Sequence, residues 1–109
     1  MSCKATFQGV TIAQSDYCLT TEGVLYFPAQ SIVKQYFTLS EHRYHCAWKG
    51  DAGYYDLTIN GHILENAAWF YDHPTDAAGE LKDFVAFDRS LGIITSGQAA
   101  KLIRRPENT

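Results

Sequence analysis

The dipeptide Asn60-Gly61 constrains this chain more than any other feature. It follows a run in which Tyr55, Leu57 and Ile59 alternate with Tyr54, Asp56 and Thr58, and a second strand-like run, residues 62–65, comes after it. A two-residue connection with both residues at positive φ joins antiparallel strands with the right twist, and Asn-Gly is the pair that adopts it most readily. The segment is thus predicted to be a β-hairpin, and the chain is committed locally to antiparallel sheet.

The same punctuation recurs upstream. Residues 3–8 read as a strand closed by Gly9, and residues 10–14 as a second. Residues 18–21 and 24–27 flank Glu22-Gly23, where Gly23 supplies a left-handed position, and read as another hairpin. Residues 42–49 and 54–60 form the strongest predicted strand pair, with Gly50-Asp51-Ala52-Gly53 as the loop between them. Residues 67–71 and 84–87 are further strands, and residues 92–95 an edge strand. Two short helices are expected. In residues 29–37, Ile32, Val33, Tyr36 and Phe37 recur at helical spacing behind Pro28; in residues 74–82, Pro74 precedes Ala77, Ala78 and Leu81.

The expected architecture is mainly β: a strongly twisted antiparallel sheet, or a small barrel-like domain, with two short helices. One domain spans residues 1–96, and residues 97–109 form a flexible tail. With 46% hydrophobic and 14% aromatic residues, 109 residues suffice for a real core. The net charge of −3 argues against nucleic-acid binding, which draws on clustered Lys and Arg. Cys3, Cys18 and Cys46 are widely spaced and odd in number, so no disulfide framework is expected. No apolar run reaches membrane-spanning length and none resembles a secretory leader; the expectation is a cytoplasmic protein.

Four ordered segments carry a family resemblance: Glu22-Gly23-x-x-Tyr26-Phe27-Pro28; His45-Cys46-Ala47-Trp48-Lys49-Gly50-x-x-x-Tyr54-Tyr55; Ala68-Trp69-Phe70-Tyr71; and Ala86-Phe87. Together they resemble the domain of unknown function 427, a family of small bacterial proteins that also carries a nominal nucleotidyltransferase label. The resemblance covers roughly residues 4–88 and implies a compact β-rich domain without an assigned activity or catalytic set. Members usually have Pro where this chain has Ala47. The nucleotidyltransferase label finds no support in the residues: there is no G-x-x-x-x-G-K-[ST] loop, no G-x-G-x-x-G fingerprint and no close acidic pair suited to Mg²⁺.

The segment around Cys-Ala-Trp-Lys-Gly is the expected functional surface. Strand alternation would put Tyr44, Cys46 and Trp48 on one face and His45, Ala47 and Lys49 on the other. Cys46 is then expected beside Leu57 and Ile59 as a small buried hydrophobe, unless a bulge or bend brings it to Lys49 or His45 as a thiolate nucleophile. Lys49 is either an exposed strand-end lysine or an anion-binding one, helped by loop amides near Gly50 and the Tyr54 hydroxyl. A binding module would use Trp48, Lys49, Gly50, Tyr54, Trp69 and Tyr71 around a small polar or anionic molecule. An enzyme would use Cys46 or Glu65 with His45. A structural or protein-interaction role is the third class. His42, His45, His62 and His73 have no zinc-like spacing, and neither metal nor cofactor is implied. The oligomeric state is left open, a homodimer included.

Overall fold

A computed structural model of the chain describes residues 2–107. Ten strands run in the order β1 (Cys3–Phe7), β2 (Val10–Ser15), β3 (Leu19–Thr21), β4 (Val24–Tyr26), β5 (Phe37–Cys46), β6 (Gly50–Ile59), β7 (His62–Pro74), β8 (Val85–Phe87), β9 (Ile93–Gly97) and β10 (Lys101–Leu102). They build three sheets, β2-β1-β9, β10-β3-β4 and β5-β6-β7-β8, in which every pairing is antiparallel except that of β10 with β3. Among the described residues none of these sheets closes, so the antiparallel reading is the observed one and the barrel-like alternative is not.

Period-two patterning explains the first sheet. Cys3, Ala5 and Phe7 point inward, while Lys4 is exposed and Thr6 half-buried. Three tight turns follow their sequence signals, with φ positive at both central residues: Gln8-Gly9, Glu22-Gly23 and Asn60-Gly61. The second and third sheets are stitched where Phe27 and Val85 exchange backbone hydrogen bonds of 2.8 and 2.7 Å. One core cluster gathers Phe7, Ile12, Phe27, Leu57, Ile59 and Phe87. A second gathers Leu19, Tyr26, Ala52, Tyr71, Leu81 and Ile103.

Four expectations are corrected. The predicted helix over 29–37 is two isolated 3-10 turns, Ala29–Ser31 and Lys34–Tyr36. Between them Ile32 is extended and bridges Ala13, and the Val33 amide donates to the Ile12 carbonyl at 2.8 Å. A tertiary β-bridge has outcompeted weak helical spacing in a segment with two adjacent β-branched residues. The predicted helix over 74–82 is also 3-10, Asp76–Leu81, broken at Ala78, while Pro74 ends β7.

The third correction concerns the loop between the long strands. Gly50, Asp51, Ala52 and Gly53 belong to β6, and the reversal lies at Ala47-Trp48-Lys49 instead. β7 runs as far as Pro74 and supplies a ladder partner for Gly50, which pairs with Cys46 on its other side. Fourth, the chain after residue 96 is docked at least to Ile103, in contrast to the expected tail. β10 pairs with β3, the Ala100 and Ile103 amides donate to the Cys18 and Thr20 carbonyls at 2.8 Å each, and Ile103 is buried. Asn108 and Thr109, the end of the expected tail, lie outside the described residues. Among the described residues no helix is long and apolar enough to cross a membrane. All three cysteines are free thiols, with Cys3 and Cys18 buried.

Candidate functional site

The reversal at residues 47–49 is folded back onto the end of β7. Thr75 clamps it, its amide donating to the Lys49 carbonyl at 3.0 Å and its hydroxyl to the Trp48 carbonyl. Gly50 follows at φ +106°, with the β7 backbone so close that a Cβ there would collide with the His73 carbonyl oxygen and lie 2.8 Å from the Pro74 Cα. The glycine expected to admit a ligand thus admits the protein's own backbone.

This turn takes Trp48 and Lys49 out of the strand alternation expected for them. Lys49 is buried, with 8% of its surface exposed. Its ammonium lies 5.4 Å from the Trp48 ring centroid and 5.7 Å from that of Tyr71, and it donates to the Glu22 carboxylate. Burial pulls the Lys49 pKa down, but the hydrogen bond to Glu22 and the field of Tyr26, Glu22 and Cys46 outweigh it, and the pKa lies above the ordinary lysine value. The Glu22 pKa is correspondingly lowered, chiefly by the Lys49 hydrogen bond against a smaller cost of burial.

Glu22 itself stands in the β3–β4 turn at φ +53°, where Asn or Gly is cheaper. Four residues on, Tyr26 is buried; its hydroxyl accepts from the Trp69 indole nitrogen at 3.2 Å, and their rings meet edge to face with centroids 6.4 Å apart. Burial raises the pKa of both Tyr26 and Tyr71, so both phenols stay protonated near neutral pH. Among the described residues the buried Trp48 indole nitrogen has no partner at full hydrogen-bond geometry, yet it lies near enough to the Glu22 carboxylate to help lower its pKa. Such a poorly paired donor is uncommon in a folded chain, and this one lies beside a charged lysine.

The family model for the domain of unknown function (DUF427) matches residues 2–96. The chain belongs to this family. Among curated proteins, none matches the chain. Within this family domain lie Glu22, Tyr26, Cys46, Trp48, Lys49, Trp69 and Tyr71, whereas Arg105, whose charge also acts on Glu22, lies beyond it.

The structure brings together only some of the residues expected at the site. Trp48, Lys49 and Tyr71 converge, and Trp69 joins them through Tyr26. Tyr54 packs beside Trp69, with centroids 6.5 Å apart, and against His42 at 4.7 Å, so the phenols nearest Lys49 are those of Tyr26 and Tyr71. Cys46 is half-buried and packs on the second core cluster, not beside Leu57 and Ile59 in the first. The sharp turn keeps Lys49 near enough for Cys46 to be the least of the causes that raise the Lys49 pKa. His45 is exposed and bonded to Asp51 at 2.6 Å on the rim of a shallow surface groove with Arg43 and Tyr44. Glu65 is exposed near the far end of β7: Cys46 is level with Pro74, nine residues away, roughly 30 Å of strand at about 3.3 Å per residue. Glu65 and His45 are therefore not brought together, and His45 is bonded to Asp51 and not to Cys46.

Glu22 and Tyr26 were absent from the expected site. Their signal was a glutamate at a turn position that ordinarily suits Asn or Gly, followed by a tyrosine at the end of the same short hairpin. Nothing in the local pattern ties that hairpin to Lys49; the meeting is tertiary.

Proposed function

We propose that the chain is a binding module for a small anion, carboxylate or phosphate, taken up at Lys49 between Trp48 and Tyr71. The observation that supports this reading best is a nearly buried, charged lysine whose counter-ion is on a surface turn. The Glu22 side chain is 49% exposed and sits on a strained backbone. In the free protein it caps the ammonium. An incoming anion exchanges with it, accepting from the Lys49 ammonium and from the indole N–H of Trp48, which also faces the Glu22 carboxylate. A charge-assisted hydrogen bond of this kind is worth about 1.5–3 kcal/mol, and the aromatic walls exclude water around it. The Tyr26 and Tyr71 hydroxyls are protonated and available as further donors.

The test is calorimetric titration of the wild type with a panel of small carboxylates and with inorganic phosphate, repeated on Lys49→Met and Trp48→Phe. A hit that weakens at least tenfold in Lys49→Met and measurably in Trp48→Phe supports the site. A hit indifferent to both places binding elsewhere.

A further inference from the structure

A cavity lies away from Lys49. It is a groove of about 450 Å³ lined by Ala29, Gln30, Ile32, Lys34, Phe37 and Tyr55. That volume falls within the usual range for small-molecule sites. Tyr55 is five residues along β6 from Gly50, about 16 Å at roughly 3.3 Å per residue, so the groove is distinct from the Lys49 site.

Phe37 and Tyr55 meet at 89° with centroids 5.5 Å apart, forming an aromatic corner. The corner is anchored on both sides: Phe37 packs on the buried Phe87 at 6.0 Å, and Tyr55 on Phe70 at 4.8 Å. Ala29 and Ile32 also line it, and their segment is held by the bridge from Ile32 to Ala13 and by the bond from the Val33 amide to the Ile12 carbonyl. Two rings at right angles offer one face and one edge, which suits a third ring stacked on the first and met by the second.

Polarity in the groove is one-signed. Lys34 is exposed and makes no ion pair among the described residues, and no carboxylate lines the cavity. The Gln30 amide, also in the lining, adds neutral donors on the same segment. We propose that this groove is a binding site for an aromatic carboxylate, its ring in the Phe37–Tyr55 corner and its carboxylate on Lys34.

The experiment is an amide and methyl chemical-shift titration of the full chain with 2-naphthoate, alongside hexanoate and 2-naphthylmethanol as controls. The expected result is shift changes centred on Ile32, Lys34, Phe37 and Tyr55, with hexanoate and the alcohol at least tenfold weaker. Lys34→Glu should keep the wild-type spectrum elsewhere, because the side chain is exposed, and weaken naphthoate at least tenfold. Tyr55→Leu should reduce naphthoate binding while leaving hexanoate unchanged. Shifts centred on Trp48 and Lys49, no saturable shift at millimolar naphthoate, equal affinity for hexanoate, or unchanged affinity in Lys34→Glu would each overturn the assignment.

Discussion

Glu22 and Lys49, 27 residues apart in sequence, form an ion pair in which the lysine is buried and the glutamate is half exposed. The asymmetry governs what each substitution does. Removing the lysine leaves a carboxylate that water can solvate, whereas removing the glutamate leaves a nearly buried ammonium without its counter-ion.

Lys49→Met should therefore be mild and Lys49→Ala worse. Methionine keeps the apolar stem against Trp48 and Tyr71, while alanine opens a gap there. The expected losses are under about 1 kcal/mol for Met and about 1–2 kcal/mol for Ala, read as a fall in the urea midpoint at constant slope. An alanine variant as stable as the wild type would mean that Lys49 behaves as the exposed strand-end lysine of the sequence reading.

The pair also sets a pH window. Glu22 has its pKa lowered by folding, so its contribution is present above the unfolded carboxylate value of about 4.5 and is lost as pH falls through the lower folded value. Lys49 has its pKa raised, so its contribution is present below about 10.5 and is lost as pH rises through the higher folded value. Unfolding midpoints followed from pH 2 to pH 12 should show losses at both ends, and Glu22→Gln should flatten both. An unchanged acid limb in that variant would show that other carboxylates, such as Asp72 paired with Arg43, govern acid unfolding.

Gly50→Ala should be severe. The backbone stands at φ +106°, and a methyl group would press on the His73 carbonyl and lie 2.9 Å from the Thr75 nitrogen. Positive φ and steric conflict combine to a loss of about 3 kcal/mol or more. The checking measurement is the melting temperature; Gly61→Ala is the control, since its added Cβ meets nothing within 4 Å despite φ +81°.

Truncation after residue 96 should destabilise the protein, and Ile103→Ala should account for much of the loss. Ile103 is 5% exposed and completes the cluster of Leu19, Tyr26 and Tyr71, and buried Ile→Ala changes cost about 2–5 kcal/mol, the lower end applying near a chain terminus. Differential scanning calorimetry of both variants gives the answer. A truncated chain melting with the wild type would show residues 97–109 to be dispensable, as the sequence alone suggests.

Much of this molecule was determined by local sequence. Asn60-Gly61 and Glu22-Gly23 specify hairpins because two consecutive positive φ values are cheap only for a few residue types, and the turns appear where those signals stand. The alternation in residues 3–7 likewise assigns an inner and an outer face without help from the rest of the chain. Tertiary structure decided the remainder. Residues 29–37 are not helical because Ile32 and Val33 found partners on β2, Ala13 and Ile12, 19 and 21 residues back. Gly50 to Gly53 became strand because β7 extends far enough to pair with them, and the turn thereby displaced onto Trp48 and Lys49 turned an expected surface lysine inward. Ile103 docked because β3 had an open edge and the apolar cluster of Leu19, Tyr26 and Tyr71 lay beside it. The site is legible in the sequence as a set of residue types, Trp48, Lys49, Trp69 and Tyr71. The charge that completes it, on Glu22, comes from another sheet, and no local periodicity encodes the packing of one sheet against another.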